Sequence, residues 1–298
     1  MKNENILELQ KDEKARIINF ICEYVGDNDP ICILVSGGLD SDVTARLCSE
    51  AVDAERIRLV FVLQDELEEK YRNNVKWLAK DLGVRLDEID LRGLNIELIK
   101  AVEQGSPDLF DSKSLLDPNR AKCSLRTAII SSYQDKGFLI AGASNRTETE
   151  LGFFMPFGDN MAHFKPIAHL YKTQVVQLAK DIGCRREVIE QPPSAAFWEN
   201  QEDLVDLSYW IINRAPIMGK GRKFSDEDDR KMQSIRLELT QEAVDTVLYA
   251  LYNGYDIKTT AKMSGLNIEY IDSLRDITYA AKKCKTRPLL QSINLELL

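Results

Sequence analysis

The fold is decided by residues 31–41, which read ICILVSGGLDS. Five apolar residues in a row, 31–35, are typical of a strand that is buried on both faces. The glycine pair that follows permits a tight turn, and the pattern from Ser41 onward favours a helix. A strand, a glycine turn and a helix N-terminus in this order form a place where backbone N–H groups and the helix dipole can hold an anion.

Short apolar segments alternate with amphipathic ones on both sides of this stretch. Further strands are predicted at residues 57–63, 84–89 and 137–142. Helices are predicted at residues 5–27, 41–52, 68–82, 94–103, 120–135, 147–151, 172–182 and 240–283, with a loop at 104–119. Strands that alternate with helices in this way predict an α/β fold, a doubly wound parallel sheet with helices on both faces.

Composition excludes several classes of protein. The 298 residues include 39 lysines and arginines against 48 aspartates and glutamates, and a net charge of −9 disfavours nonspecific binding to nucleic acid or anionic membrane. No apolar run approaches the roughly 20 residues of a membrane span, and the polar start is unlike a secretory signal. Six cysteines without a CxxC pair and only two histidines favour reduced thiols, a cytoplasmic location and no zinc site.

The segment SGGLDS has the groups needed to bind phosphates. It comprises Ser36, Gly37, Gly38, Leu39, Asp40 and Ser41. The glycine N–H groups and the two hydroxyls can donate hydrogen bonds to phosphate oxygens, and a carboxylate here can hold magnesium against them. The segment matches neither GxxxxGK[ST] nor GxGxxG. The structural alternative is a glycine turn capped by serine or aspartate.

A second block of motifs lies between residues 142 and 195. It comprises GASNRTE at 142–148, LGFF at 151–154, FGD at 157–159, LYKTQ at 170–174 and PPSA at 192–195. SGGLDS alone resembles the pyrophosphate loop of enzymes that cleave ATP between its α and β phosphates. All the motifs together, in this order, resemble the ammonia-dependent NAD synthetase family from about residue 15 to about 212, and more weakly through KTRP at 285–288.

The resemblance implies a Rossmann-like ATP-pyrophosphatase fold and an amide ligase that uses ATP and Mg²⁺ to convert nicotinic acid adenine dinucleotide to NAD. It implies that Asp40 and Glu148 ligate the metal and that Lys172 joins Asp40 in catalysis. Ser36, Gly38 and Ser41 would cradle the pyrophosphate, with Lys172 and Ser194 on the opposite side. Judged on the residues alone, Glu148 is better read as a first-turn helix carboxylate and Lys172 as a solvated helix residue.

The half of the pattern that faces the acyl substrate departs from the family. The implied substrate contacts are Arg120, Arg126, Asp159 and His163. In the first segment, Ser124 stands where the first of two arginines is expected, and residues 119–120 stand in place of Gly-Asn. In the second, Pro156 stands in place of a lysine, and residues 160–163 stand in place of Gly-Gly-Ala-Asp. Two hypotheses stay open: variation among NAD synthetases, or a relative that amidates a different carboxylate. His163 fits either a ligand contact or a polar loop residue.

The resemblance also predicts the organisation of the chain and its partners. Residues 1–212 would form the synthetase domain, and 213–298 a charged loop (215–230) and a helical extension packed on the same domain. Position 2 is lysine, so we expect no N-terminal cysteine nucleophile. Since the synthetase pattern leaves no room for an amidase domain, we expect ammonia to be used directly or to come from a separate glutaminase. Members of this type are homodimers, which implies a homodimer here.

The residue spacing at 255–280 is typical of a helix-turn-helix, which supports a remote alternative, a DNA-binding module. Ala261, Gly265 and Ile271 fall at suitable intervals, with the glycine in the turn. Residues 254–283 carry five basic side chains against four acidic ones, which is not the basic footprint of a nucleic-acid interface. Helical hairpins of this kind also occur in packing roles, so no nucleic-acid partner is predicted.

Overall fold

A computed structural model describes residues 6–64, 68–114, 116–155, 158, 160–195, 201–215 and 224–286. Within these residues, four parallel strands form one sheet in the order β3-β2-β1-β4. The strands are β1 (Ile31–Leu34), β2 (Ile57–Leu63), β3 (Arg85–Asp90) and β4 (Leu139–Ala141). The chain moves outward from β1 to β3, then crosses back to place β4 on the other side of β1. The strand order therefore reverses between β1 and β4, which is where open α/β sheets bind ligands.

Thirteen α-helices accompany the strands in the described part of the chain. They are α1 (Glu13–Val25), α2 (Leu39–Ala51), α3 (Glu69–Leu82), α4 (Leu94–Gly105), α5 (Leu116–Gln134), α6 (Arg146–Leu151), α7 (Lys172–Asp181), α8 (Arg186–Ile189), α9 (Asp203–Asn213), α10 (Asp226–Glu238), α11 (Gln241–Tyr252), α12 (Ile257–Ser264) and α13 (Ile268–Thr286). Gly83, at φ +64°, ends α3 in the left-handed conformation that glycine adopts without strain.

The sheet is covered on both faces, as the apolar strands predict. Ile31 and Ile33 of β1 pack into a core that includes residues of α1, α2, α3 and α7, whereas Cys32 between them packs into a second core with Ile130 of α5. Successive residues of a strand point to opposite faces, so one apolar run supplies both cores. The doubly wound parallel sheet is therefore confirmed.

A third core joins the C-terminal helices to the elements that follow β4. Its buried residues come from α6, α9, α10, α11, α13 and adjoining loops: Leu7, Leu151, Tyr171, Leu207, Ile211, Ile235, Leu239, Ala243, Val244, Val247, Leu248, Leu266, Ile271, Leu274 and Ile277. We call it the C-terminal core. Because Leu207 and Ile211 of α9 lie before residue 212 and yet pack here with α10, α11 and α13, this core draws on both of the predicted segments. The predicted division of the chain into segments 1–212 and 213–298 stays a prediction.

The predicted helical hairpin is present, and one face of its second helix is buried. Gly265 ends α12 at φ +73°. Ile271, Leu274 and Ile277 of α13 are fully buried in the C-terminal core. These side chains therefore serve packing within the chain.

Several predicted boundaries were wrong, and the single helix predicted at 240–283 is instead divided into α11, α12 and α13. The first helix begins at Glu13 and not at residue 5, because the backbone of Leu7 and Leu9 hydrogen-bonds to the Gln177 side chain of α7. The predicted loop at 104–119 ends early, since α5 already begins at Leu116 and tolerates Pro118 in its first turn. The charged segment 215–230 gives way to α10 at Asp226. Helices α8 and α9 were not predicted.

Five cysteines whose side chains the structure describes are free thiols, and four of them are buried. Cys32, Cys48, Cys123 and Cys184 are buried and Cys22 is exposed. Burial raises the pKa of both Cys32 and Cys48 to about 12, so neither forms a thiolate at neutral pH. None of the helices in the described part of the chain combines the length and the apolarity needed to cross a bilayer.

The C-terminal core predicts a matched pair of stability effects. Leu274 is fully buried in it, whereas Leu237 of α10 is 88% exposed. Leu274→Ala should lower the free energy of unfolding by about 2–5 kcal/mol because it leaves a cavity, and Leu237→Ala should change it by less than about 0.5 kcal/mol. Urea unfolding followed by tryptophan fluorescence measures both. Equal losses for the two variants would contradict the assigned packing.

Candidate functional site

A cavity of about 860 Å³ opens where the strand order reverses. Leu34 at the end of β1 and Ile140 and Ala141 of β4 form its floor. Its walls come from the glycine turn after β1, from α5, from the segments around α6 and α7, and from α9. This volume falls in the range of small-molecule sites. The predicted residues Ser36, Gly38, Leu39, Asp40, Ser41, Glu148, Lys172, Ser194, Arg120 and Arg126 all line it.

The turn after β1 requires glycine at position 37. Gly37 has φ +79°, and a Cβ placed on it would lie 2.3 Å from the backbone oxygen of Tyr71. The Asn74 side chain donates a hydrogen bond of 2.9 Å to the Gly37 carbonyl, which anchors the turn to α3. Gly38 is the N-cap of α2, so the first N–H groups of that helix face the cavity end of the sheet.

The two serines of the motif hold the turn in shape. The Ser41 hydroxyl donates to the Gly38 carbonyl at 3.0 Å, and the Ser36 N–H donates to Ser41 Oγ at 3.2 Å. The Gly38 N–H in turn donates to Ser36 Oγ at 3.2 Å. Both hydroxyls also line the cavity, so they can turn toward a bound anion.

A buried asparagine brings two acidic side chains together. Asn145, the N-cap of α6, is fully buried, and its Nδ2 donates to Asp40 Oδ1 at 3.0 Å. Its Oδ1 accepts from the Glu148 N–H at 2.9 Å, and its own N–H donates to Glu148 Oε2 at 3.4 Å. The carboxylates of Asp40 and Glu148 are therefore both held within hydrogen-bonding distance of one residue. The sequence separates them by more than a hundred positions.

Lys172 places a positive charge beside these two carboxylates. It begins α7, is 7% exposed, and its Nζ contacts Asp40 Oδ2. Burial lowers the pKa of Lys172, but the negative charges of Asp40 and Glu148 outweigh burial, so the pKa is raised above its ordinary value. The side chain is thus an ammonium at neutral pH. Asp40 and Glu148 are the pair that could hold a cation. No group of three or more His, Cys, Asp or Glu in the described ranges has a metal-site arrangement.

Two further carboxylates reach the cavity from α9. Burial raises the pKa of Asp203 to about 6, although the nearby Lys172 ammonium lowers it. Burial likewise raises the pKa of Asp206 to about 6, against a hydrogen bond of 2.7 Å from Gln201. Sequence reasoning missed both. Acidic residues three apart on one face of an otherwise apolar helix were the available signal.

The residues predicted to contact the acyl substrate separate into three groups. Arg120 and Arg126 of α5 line the cavity, and Arg126 donates to Gln64 Oε1 at 2.9 Å. Asp159 lies outside the described residues. His163 is exposed and is not among the lining residues. Its Nδ1 accepts from the Ile140 N–H at 2.9 Å, on the edge of β4. The structure therefore does not bring His163 into the cavity.

A parallel sheet with a glycine turn and helix N-termini at its strand-order reversal is typical of α/β proteins that bind phosphate-containing ligands. The family model for NAD synthase matches residues 13–252, so the chain belongs to the NAD synthase family. Enzymes of this family are ligases that use ATP. The family model thus covers the sheet, the cavity and α11.

Curated relatives agree with this assignment, and solved structures share the fold. The NH(3)-dependent NAD(+) synthetase of Methanocaldococcus jannaschii is 30% identical over 78% of this chain and 90% of its own length. That of Hyperthermus butylicus is 28% identical over 95% of this chain and 91% of its own. The fold is similar to those of NMN synthetase from Francisella tularensis (TM-score 0.69, 19% identity) and NH3-dependent NAD synthetase from Campylobacter jejuni (TM-score 0.66, 20% identity). Each comparison covers 95% of this chain and 98% of the other.

The glycine turn predicts a contrast between two alanine substitutions. Gly37 and Gly26 both have positive φ, but a Cβ at Gly26 meets nothing within 4 Å. Both variants should lose about 1–2 kcal/mol to backbone strain, and Gly37→Ala should also distort the turn and weaken ATP binding by more than about tenfold. Thermal unfolding and calorimetric titration with ATP measure the two effects. Unchanged ATP affinity in Gly37→Ala would exclude this turn from the phosphate site.

Proposed function

We propose that this chain is an ammonia-dependent NAD synthetase. It adenylates the carboxylate of nicotinic acid adenine dinucleotide with ATP and then displaces AMP with ammonia. The observation that carries the proposal is the cluster of Asp40, Glu148 and Lys172 beside the SGGLDS turn, in a chain that belongs to the NAD synthase family.

The phosphates of ATP would lie between the glycine turn and Lys172. The N–H groups at the start of α2 and the hydroxyls of Ser36 and Ser41 would donate to the pyrophosphate portion. Lys172 and Ser194 line the same cavity and would approach from the other side. Because Lys172 is almost fully buried, its charge acts through a medium of low polarity and is strongly felt by the phosphates.

Asp40 and Glu148 fit a magnesium site. Mg²⁺ prefers hard oxygen ligands and usually takes one or two carboxylates together with phosphate oxygens and water. Asn145 holds the two carboxylates on the cavity side of α2 and α6. When bound, the ion would neutralise charge on the phosphate oxygens. Lys172 would then exchange part of its contact with Asp40 for contact with the phosphates.

The reaction needs no covalent bond to the protein. An oxygen of the substrate carboxylate bonds to the α phosphorus as the bond to the bridging oxygen breaks, which releases pyrophosphate. The ammonia nitrogen then bonds to the acyl carbon, AMP leaves with the electron pair of the broken C–O bond, and the nitrogen loses a proton. Lys172 and the turn stabilise the charge that develops on the leaving phosphates, so catalysis rests on positioning and electrostatics.

The acyl substrate would lie toward α5, where Arg120 and Arg126 line the cavity. Substrate contacts by Asp159 and His163 stay predictions. The departures at residues 119–126 and 160–163 support a second candidate within the same class, a ligase that amidates another carboxylate. We further propose a cytoplasmic homodimer that uses free ammonia or ammonia from a separate glutaminase, without a nucleic-acid or membrane partner.

Pyrophosphate release tests the substrate. ATP, Mg²⁺ and ammonium are supplied with nicotinic acid adenine dinucleotide, with nicotinic acid mononucleotide or with neither, and the amide product is identified by mass. Release that depends on the dinucleotide, with NAD formed, is the expected result. Release with the mononucleotide alone would establish the second candidate. Folded protein that binds ATP but responds to neither acceptor would contradict both nicotinate substrates.

Asp40→Asn should abolish pyrophosphate release while leaving the fold intact. The substitution removes a negative charge that pairs with Lys172 and would hold the cation, but keeps the size of the side chain. Asp27→Asn is the matched control, because Asp27 is exposed in the turn that follows α1. Circular dichroism checks folding. If Asp40→Asn turned over at the wild-type rate, the metal assignment would be wrong.

A further inference from the structure

A fully buried carboxylate lies where α6, α7 and α11 meet. Asp245 of α11 has no exposed surface. An isolated carboxylate in such a place is strongly destabilising, so its hydrogen-bonding partners decide whether it is tolerated. No step of the proposed reaction uses it.

Four donors surround the two oxygens of Asp245. Oδ1 accepts from Thr147 Oγ1 at 2.6 Å and from Gln241 Nε2 at 3.0 Å. Oδ2 accepts from the Thr173 N–H at 2.8 Å and also from the Thr173 hydroxyl. Burial raises the pKa of Asp245, whereas the hydrogen bonds from Thr147 and Thr173 lower it. An ionised carboxylate, which only accepts, satisfies all four donors at once.

The same network reaches the residue that begins α7. Thr147 Oγ1 donates to Asp245 and accepts from the Lys172 N–H at 2.9 Å. The first N–H groups of a helix have no acceptor within it. In α7, those of Lys172 and Thr173 are satisfied by Thr147 and Asp245, so the start of α7 is attached to the start of α6 and to α11.

The two threonines are the sequence neighbours of the charged residues in the cavity. Thr147 precedes Glu148 in α6, and Thr173 follows Lys172 in α7. We propose that Asp245 is a positioning residue of the ATP site, which holds the starts of α6 and α7 so that Glu148 and Lys172 face the phosphates. This inference rests on the proposed function for the roles of those two residues.

A second set of contacts links the same elements. The Arg146 N–H donates to the Leu170 carbonyl at 2.8 Å, joining the backbone just before α7 to the start of α6. The Arg146 guanidinium lies between the rings of Tyr171 and Tyr252, 4.6 Å and 4.1 Å from their centroids. Tyr252 belongs to α11. Asp245 thus links α11 to both helix starts, and Tyr252 links α11 a second time to the start of α6. A change at Asp245 should therefore alter the orientation of these starts without separating the helices.

Asp245→Asn tests the proposal. The amide group presents N–H donors to part of a network that needs only acceptors, so at least one donor loses its partner. Hydrogen exchange, measured without nucleotide, should show protection of the Lys172 and Thr173 amides falling more than about tenfold, while amides in the interior of α7 keep theirs. The kcat of pyrophosphate release should fall about 10- to 100-fold, with KM for ATP changed less than about threefold.

Leu274→Ala is the matched control. Leu274 is buried in the C-terminal core and shares no hydrogen bond with Asp245, so this variant should lose stability but keep kcat and the relative protection of the two amides. If Asp245→Asn folds poorly, Thr147→Val and Thr147→Ser replace it. Thr147→Val removes the hydroxyl that links Asp245 to Lys172 and should lower kcat. Thr147→Ser keeps this hydroxyl and should retain most of the wild-type kcat.

The outcomes separate the two proposals. Wild-type kcat in Asp245→Asn with unchanged protection at Lys172 and Thr173 would overturn the positioning role. Protection lost evenly along α7, with kcat reduced no more than in Leu274→Ala, would show a purely structural role and would also overturn it. Failure of the wild-type chain to release pyrophosphate with any acceptor would contradict the proposed function. The exchange result would still decide whether Asp245 holds the two helix starts.

Discussion

The parallel pairing of β1 with β2 on one side and β4 on the other is the constraint on which the site depends. Ile31 is in register with Ile57 and with Leu139, so the ends of the central strands reach the same edge of the sheet. The turn after β1 and the segment after β4 therefore approach each other. A shift of register would separate Asp40, which follows β1, from Asn145, which follows β4.

The site also requires that the positive charge of the buried Lys172 be balanced by negative charge. Lys172 is buried at a cost in solvation that only nearby negative charges offset, and Asp40 and Glu148 supply these charges. Asn145 orients both carboxylates through its side chain and backbone. A bound nucleotide would add negative charge beside the ammonium. The arrangement suits a ligand that brings both phosphates and a cation.

The two halves of the cavity are built differently. The half that would hold ATP consists of helix starts and a glycine turn, whose N–H groups are oriented by the backbone. The half that would hold the acyl substrate consists of long side chains on α5 and α9, such as Arg126 and Tyr209. Side chains on a helix can be substituted without moving the helix, whereas Gly37 cannot be substituted without displacing the turn from the Tyr71 backbone. This difference is consistent with the sequence, in which SGGLDS fits the family pattern whereas residues 119–126 and 160–163 differ from it.

The strands, most helix positions and the glycine turn could be predicted from the sequence, because each depends on residues close together in the chain. The mainly apolar segment 57–63 matches β2, and SGGLDS matches the turn after β1. Which distant residues meet could not be predicted, because this depends on the packing of the whole chain. Asp245 contacts Thr147 across 98 positions and Thr173 across 72, and no local pattern encodes such contacts. The same holds for the position of Asp203 beside Lys172 and for the place of His163 outside the cavity, since both depend on how whole helices and strands pack together.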